Sequence, residues 1–419
     1  MDKKIKVLTI SDHPLSPSGV GTQTRNVITA LLDTGKFKIL SLGGAMHHPD
    51  YTPTQIEGYG EDWIIQPVKD YGTPEMIKSI VRTEKIDMIW FMTDPRFYEW
   101  LWAFENEIRP HVPMVYYHVW DNYPYPSFNT KWYAGNDCIA TISKVTDDIV
   151  KTLVPDVRSE YVPHAVDDKI FAPMTELDRK MFREQAYNVK DDTMIVFWNN
   201  RNARRKQSGT LIYWFNELLD KIGRDKAKLV MHTDPSDPHG QDLYAVLDNL
   251  GLHNGEVSIS VQKLPPEILA KLYAGADLTV NISDAEGFGL ATLESLSCGT
   301  PVMVTMTGGL QEQVTDGEGN WFGMGIQPSS KAIIGSQQVP WIYEDRISKE
   351  DFLECMTDLY NAGPEGRKKM GEAGRAHILK NYNYLEFKDK WTNLMLETHE
   401  NFGSWENRSN YQNWRIASL

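Results

Sequence analysis

The sequence predicts an α/β protein built from two doubly wound, Rossmann-like domains. Short apolar runs alternate with amphipathic helical patterns, as in parallel sheets covered on both faces. The alternation stops in a proline-bounded stretch at 155–173 and then restarts. At 419 residues the chain also exceeds what one hydrophobic core usually organises.

Residues 5–10 read as the first strand, followed by a glycine-rich turn and a helix over 22–32. Residues 37–42 form a strand and 76–83 a helix. Further strands lie at 86–92, 114–118 and 138–142, and a helix over 144–153 follows the last. The second half repeats the scheme, with strands at 194–198, 228–232, 257–261, 278–282 and 301–305 and helices at 210–221, 266–274 and 290–297. Three helices close the pattern at 352–359, 364–381 and 385–399; residues 401–419 carry no clear periodicity. The expected domains are 1–170 and 171–385, with 386–419 a helix and tail that pack back on the first. Ligands of open α/β sheets bind beyond the carboxyl ends of strands, and the motifs below fall at such positions.

A hydrophobic content of 41% with 24% charged residues is that of an ordinary globular chain. The formal net charge of -14 argues against a general polyanion binder, because phosphate-tracking surfaces carry net positive charge. Cys138, Cys298 and Cys355 are widely spaced and fit neither a disulfide framework nor a metal-ligand pattern, so a reducing, cytoplasmic setting is expected. The first five residues lack the apolar run of a signal peptide, and no stretch approaches the roughly 20 apolar residues that span a bilayer.

The most informative string is Asp284-Ala285-Glu286-Gly287-Phe288-Gly289-Leu290-Ala291-Thr292-Leu293-Glu294. A strand ends, a glycine-bearing turn follows, and a helix begins near Gly289. Glycines let a ligand approach the backbone, and free N–H groups at a helix start suit a phosphate. Glu286 before the helix and Glu294 inside it can accept hydrogen bonds from two separated hydroxyl-bearing parts of one ligand, such as a sugar and a ribose.

Other strand ends carry further chemistry. Arg201, Arg204, Arg205 and Lys206 follow the strand at 194–198, where cations can neutralise a leaving diphosphate without a metal. Gly19 and Gly21 join the first strand to the first helix, and glycine there permits a positive φ and close approach of a ligand. His118 ends the strand at 114–118, with Trp120 and Asp121 just beyond. His164 lies in Val162-Pro163-His164-Ala165-Val166-Asp167, a stretch expected to be structural as a crossing between domains, from which His164 could face the cleft. The loop around Asp234, Asp237 and His239 holds paired acids and histidines, but its prolines and spacing disfavour a metal site.

The Glu286–Glu294 string resembles the E-x7-E motif of the GT-B glycosyltransferases, particularly the retaining family-four (group 1) enzymes. Gly299-Thr300-Pro301-Val302 and Gly308-Gly309-Leu310-Gln311-Glu312 are similar to that family's continuing pattern, and Asp167, Phe171 and Pro173 to its linker signature. The resemblance implies a GT-B fold: two facing Rossmann-like domains with a C-terminal helix crossing back onto the first. It implies that Glu286 contacts the donor sugar and Glu294 the ribose. Arg201 and Lys206 would clamp the diphosphate, and Gln207 stands where the family usually has glycine. Gly19, Gly21, Gly287, Phe288, Gly289 and Leu290 would line the donor, with Gln262 and Leu264 near the base and His118 beside the sugar. Trp120, Asp121, Arg204 and Arg205 are the acceptor candidates.

The implied activity is metal-independent, retaining transfer of a sugar from a nucleoside-diphosphate sugar, a UDP- or GDP-sugar, to a hydroxyl. No further cofactor is required. The acceptor is a glycan, a lipid-linked sugar or another hydroxyl compound; a nucleic acid is a less favoured partner, as is a modified DNA base acted on by virus-type enzymes. A sugar-nucleotide epimerase, a phosphorylase and a non-catalytic nucleotide-sugar binder stay open on the same fold.

Overall fold

Apolar strands with both faces covered set the architecture. The computed structural model describes residues 3–189 and 192–411, so residues 412–419 of the unassigned tail lie outside it. The chain divides into two units: residues 1–120, 125–164 and 385–419 form the first, and residues 121–124 and 165–384 the second.

The first unit holds β1 (Ile5–Asp12), β2 (Phe37–Gly44), β3 (Thr54–Ile56), β4 (Gly60–Pro67), β5 (Met88–Met92), β6 (Met114–His118), β7 (Cys138–Thr141) and β8 (Arg158–Tyr161). They make one sheet in the order β3-β4-β2-β1-β5-β6-β7-β8, parallel throughout except for β3 against β4. β5 and β6 are buried at every position, as a sheet covered on both faces requires. The terminal helix Tyr384–Phe402 belongs here from Leu385 onward: Trp391 packs its ring 4.7 Å from Tyr117 and 5.8 Å from Trp90.

The second unit holds β9 (Met194–Asn199), β10 (Ala227–His232), β11 (Val257–Ser260), β12 (Leu278–Asn281), β13 (Val302–Thr305) and β14 (Met324–Ile326) in the all-parallel order β11-β10-β9-β12-β13-β14. The strand order reverses between β9 and β12. Loops leaving the carboxyl ends of those two strands stand at the usual ligand position of an open α/β sheet. A separate antiparallel hairpin, β15 (Ser330–Ile334) and β16 (Ile342–Arg346), stands outside the sheet.

Several elements escaped the periodicity. β3, β4 and β8 are polar or amphipathic strands at or near sheet edges. The hairpin has the wrong strand length and position for a doubly wound unit. The helix Glu176–Phe182 buries no residue, so it offers no apolar stripe to read. It is held instead by charge. Arg179 and Arg183 both pair with the buried Asp277 at 2.8 Å, and Asp277 also accepts the Ile195 amide at 2.7 Å.

Candidate functional site

The two loops at the switch point of the second unit meet at the Lys206–Glu286 ion pair. The loop after β9 tightens into a three-residue 3-10 turn, Arg204–Lys206, and delivers the Lys206 ammonium onto the Glu286 carboxylate, which stands in the turn after β12. Both side chains are largely withdrawn from water, at 9% and 12% exposure. Burial pushes Lys206 down to about 8, while the charges of Glu286 and Asp121 oppose the fall and Arg205 adds to it. Burial acts to raise Glu286, yet Lys206 and Arg205 hold its carboxyl below the ordinary range. Lys206 therefore stays mainly protonated at neutral pH and Glu286 ionised. Their pairing leaves a cation next to a hydrogen-bond acceptor, a combination suited to a phosphate beside a polyol.

Backbone packing fixes the Glu286 turn. A Cβ on Gly308 would lie 1.9 Å from the Glu286 carbonyl oxygen, and one on Gly309 would lie 2.4 Å from that of Gly287. The close approach lets the Gly309 amide donate to the Glu286 carbonyl at 3.0 Å. Gln313 donates to the Phe288 carbonyl at 2.7 Å, and Thr292 to the Gly289 carbonyl at 2.7 Å. Gly289 has φ 92, a left-handed conformation that opens the helix Leu290–Ser297 with no side-chain cap, so its first amides stay available.

Gln207 resolves the departure from the expected glycine. It takes the left-handed conformation, φ 56 and ψ 35, that glycine would supply. Its amide compensates by donating to Asp284 at 2.6 Å and accepting from Thr210 at 2.7 Å. Asp284 is buried, which pushes it up to about 6 against the opposing pull of Gln207 and Arg346. Its backbone amide donates to the Arg205 carbonyl at 2.8 Å, and its carbonyl accepts from Asp345 of β16 at 2.9 Å. The hairpin thus braces both loops of the site.

Glu294 faces a second polar arrangement. Tyr273 donates to its Oε2 at 2.6 Å and accepts from Asn199 at 2.7 Å. Burial pushes Glu294 up to about 7, and the Tyr273 hydrogen bond opposes that rise. Asn200 Nδ2, Thr233 Oγ1 and Thr305 Oγ1 are buried without a partner among the described residues. They stand just past β9, just past β10 and at the end of β13. Buried polar groups left open along one sheet edge mark where a polar ligand would complete them.

The other expected residues divide. Arg201 turns to Asp237 at 2.6 Å and to His239 at 2.7 Å, so these two residues of that loop partner a cation. Among the described residues no group of three or more His, Cys, Asp or Glu is positioned to hold a metal ion. Arg204, an acceptor candidate from the sequence, stays exposed while both oxygens of the buried Glu344 accept from it, at 2.6 and 2.9 Å. Arg205 stays partly exposed, donating to the Ala285 carbonyl and lying 4.0 Å from Glu286. Phe288 is core, packed 5.7 Å from the Tyr382 ring. Leu290 opens the helix, and Gln262 and Leu264 lie in the loop after β11, with Gln262 exposed. Asp121 groups with the second unit: Asn122 donates to the Tyr343 carbonyl at 3.0 Å, and the Tyr343 amide to that of Tyr123 at 2.6 Å.

In the first unit, Gly19 and Gly21 correct the expectation of a positive φ: both are helical, in Gly19–Leu32, with Ser18 as its cap. Gly21 is needed for closeness, since a Cβ there would lie 2.8 Å from the His13 carbonyl. His118 is fully buried, its Nε2 2.8 Å from the Tyr133 hydroxyl and its Nδ1 without a partner among the described residues. Burial pushes its pKa down to about 3, so the ring is neutral. Trp120 is buried against Phe128, with ring centroids 5.7 Å apart. His164 does not face a crevice but packs on Tyr117, Nδ1 to hydroxyl 2.8 Å, and burial holds it neutral too.

Tyr273, Gln313 and Glu344 were not singled out in the sequence; they sit in helices or a strand where their types are unremarkable. Asp284 was read only as the head of the Glu286 string, with no role of its own. Gln207 alone gave a signal, by replacing an expected glycine.

Residues 179–377 match the family described as glycosyl transferases group 1. Over 176 residues the chain is 31% identical to a D-inositol 3-phosphate glycosyltransferase of Corynebacterium jeikeium, covering 41% of each chain. It is 25% identical over 244 residues to a GDP-mannose-dependent monoacylated alpha-(1-6)-phosphatidylinositol monomannoside mannosyltransferase of Corynebacterium glutamicum, covering 56% of this chain and 55% of that one. The matches thus span about half the length of these relatives. Among solved structures, sucrose-phosphate synthase from Thermosynechococcus elongatus superposes with a TM-score of 0.74 at 16% identity, covering 95% of this chain and 100% of that one. Anabaena Alr3699/HepE in complex with UDP-glucose gives 0.70 at 14% identity, covering 94% and 100%. At these identities the likeness is one of fold, GT-B.

Proposed function

We propose that this chain, which has the GT-B fold and whose residues 179–377 match the glycosyl transferases group 1, moves a sugar from a nucleoside-diphosphate sugar to an acceptor hydroxyl. The observation that carries the reading is the buried Lys206–Glu286 pair at the switch point, beside the uncapped start of Leu290–Ser297. Lys206 and the free helix amides would neutralise the departing diphosphate, doing electrostatically what a metal does elsewhere. Glu286 would accept hydrogen bonds from the sugar's hydroxyls, and Glu294 from those of the ribose.

The proposed reaction retains configuration. The bond from the anomeric carbon to the diphosphate oxygen breaks, and the acceptor oxygen bonds that carbon on the same face. The acceptor proton passes to the leaving phosphate oxygen. No enzyme base is then required, which fits a site whose buried carboxylate, Glu286, is already paired with Lys206. In the first unit, the depressed pKa of His118 suits neither a general acid nor a cation at neutral pH. Arg201 and Arg204 are occupied by Asp237 and Glu344, which weakens the case for a nucleic-acid acceptor.

A thermal-shift screen of UDP- and GDP-sugars identifies the donor, since a ligand bound to the folded state stabilises it. With that donor, Lys206→Ala and Glu286→Ala are expected to lower turnover by about 100-fold or more, the scale of losing one preorganised electrostatic contact. Unchanged turnover in either variant would remove the assignment.

A further inference from the structure

The carboxylate proposed to hold the ribose is itself held. Tyr273, on the helix Pro266–Gly275, is fully buried; its hydroxyl donates to Glu294 Oε2 at 2.6 Å and accepts from Asn199 Nδ2 at 2.7 Å. With its single proton committed to Glu294 and a lone pair to Asn199, the hydroxyl has one orientation. Asn199 ends β9 and Glu294 lies in the helix after β12, so Tyr273 ties together the two strands of the switch point. The ring is fixed in turn by Phe197, at 5.0 Å and 86°.

We propose that Tyr273 is a positioning residue for nucleotide recognition, fixing the rotamer of Glu294 and keeping it ionised so that its second oxygen accepts from the ribose hydroxyls. The inference rests on the reading of Glu294 as the ribose contact. A carboxylate that accepts from two hydroxyls must carry no proton, and burial works against that, pushing Glu294 up to about 7. The Tyr273 hydrogen bond works the other way, as a donor to the charged form does. Beyond Glu294 stands Cys298, one turn along the same helix, which the charge of Glu294 raises and that of Arg375 lowers; Arg375, from Gly363–Asn381, donates to the Ser297 carbonyl.

Tyr273→Phe deletes one oxygen and keeps the packing ring. Binding of UDP and of GDP to the full chain is measured by calorimetry between pH 6 and 9, with donor KM and kcat alongside. Affinity at pH 7 is expected to fall about tenfold, the scale of one hydrogen bond to a charged group, with kcat within about twofold. The pH midpoint of binding is expected to rise by about one unit, a shift that lost packing alone would not produce. Glu294→Gln separates the two levels. If it binds both nucleotides like the parent, the ribose reading fails and this inference with it. If it binds weakly while Tyr273→Phe keeps the parental affinity and midpoint, Tyr273 has no positioning role. Should Tyr273→Phe not fold, Asn199→Ala is read in the same way, and an unmoved midpoint there overturns the proposal.

Discussion

At the scale of single residues, the site uses conformations and charge states that its sequence disguises. Gln207 occupies a left-handed position at a cost of about 1 kcal/mol relative to glycine, offset by two side-chain hydrogen bonds worth about 1 kcal/mol each. Gln207→Gly is therefore expected to shift stability by no more than about 1 kcal/mol. Gln207→Val, which loses both bonds and places a branched side chain at positive φ, is expected to cost about 3 kcal/mol. Urea unfolding of the two variants measures the contrast.

The buried carboxyls make a second residue-scale prediction. Glu294 is raised to about 7 and Asp284 to about 6, so between the unfolded and folded values the folded chain binds more protons than the unfolded one. Their stabilising contribution is present at low pH and lost as pH rises, through about 7 for Glu294 and about 6 for Asp284. Glu294→Gln, which cannot ionise, should gain stability relative to the parent between pH 5 and pH 8. Thermal melts at the two pH values read the difference directly; a constant offset would contradict it.

At the scale of elements, glycines set the Glu286 turn by allowing two loops to touch backbone to backbone. Gly309→Ala would put a methyl 2.4 Å from the Gly287 carbonyl oxygen and 2.7 Å from the Phe288 Cα. Neither neighbour is a flexible side chain, so the turn must move. Donor affinity is expected to fall by about tenfold or more, because displacements near 1 Å cost on that scale. Donor titration checks it, and parental affinity would show that the turn tolerates the methyl.

Legibility at this scale followed burial pattern. The helix Leu290–Ser297 and the strand Met114–His118 read directly because the apolar period was unbroken. The first helix begins at Gly19, three residues before the expected 22, because Ser18 caps it and the two glycines are tolerated inside it. β15 and β16 were not legible: their face is partly exposed, and their anchor is a polar one, Glu344 to Arg204 and Arg346. Lys206 and Glu286 were legible as chemistry from the family pattern, but no spacing rule announced that they pair.

At the scale of the whole molecule, the segment beyond the last helix behaves as a clasp on the first unit. Arg408 pairs with the buried Asp137 at 2.6 Å, Ser404 donates to Asp87 at 2.9 Å, and Trp405 donates to the Ile86 carbonyl at 2.8 Å. Arg109 also holds Asp137, at 3.1 Å, so Asp137 would keep one cation if Arg408 were lost. Arg408→Ala is accordingly expected to cost about 2–3 kcal/mol, below the 3–5 kcal/mol typical of a fully orphaned buried charge. Denaturant unfolding followed through the tryptophans of the first unit tests this; a loss under 1 kcal/mol would mean Arg109 alone suffices. Among the described residues no helix is long and apolar enough to cross a membrane.

The sequence by itself determined the class of fold, the alternation of its main strands and helices, and the strand ends where polar chemistry collects. Those depend on local apolar period and on turn residues, which act over a few neighbours. Only the tertiary structure decided which charges are spoken for: Arg201 by Asp237, Arg204 by Glu344, Lys206 by Glu286. It also decided that Tyr273 holds Glu294. These partners lie tens of residues apart or more along the chain, and a charge or hydroxyl carries no mark of its partner until folding brings the two within hydrogen-bonding distance and removes the water between them.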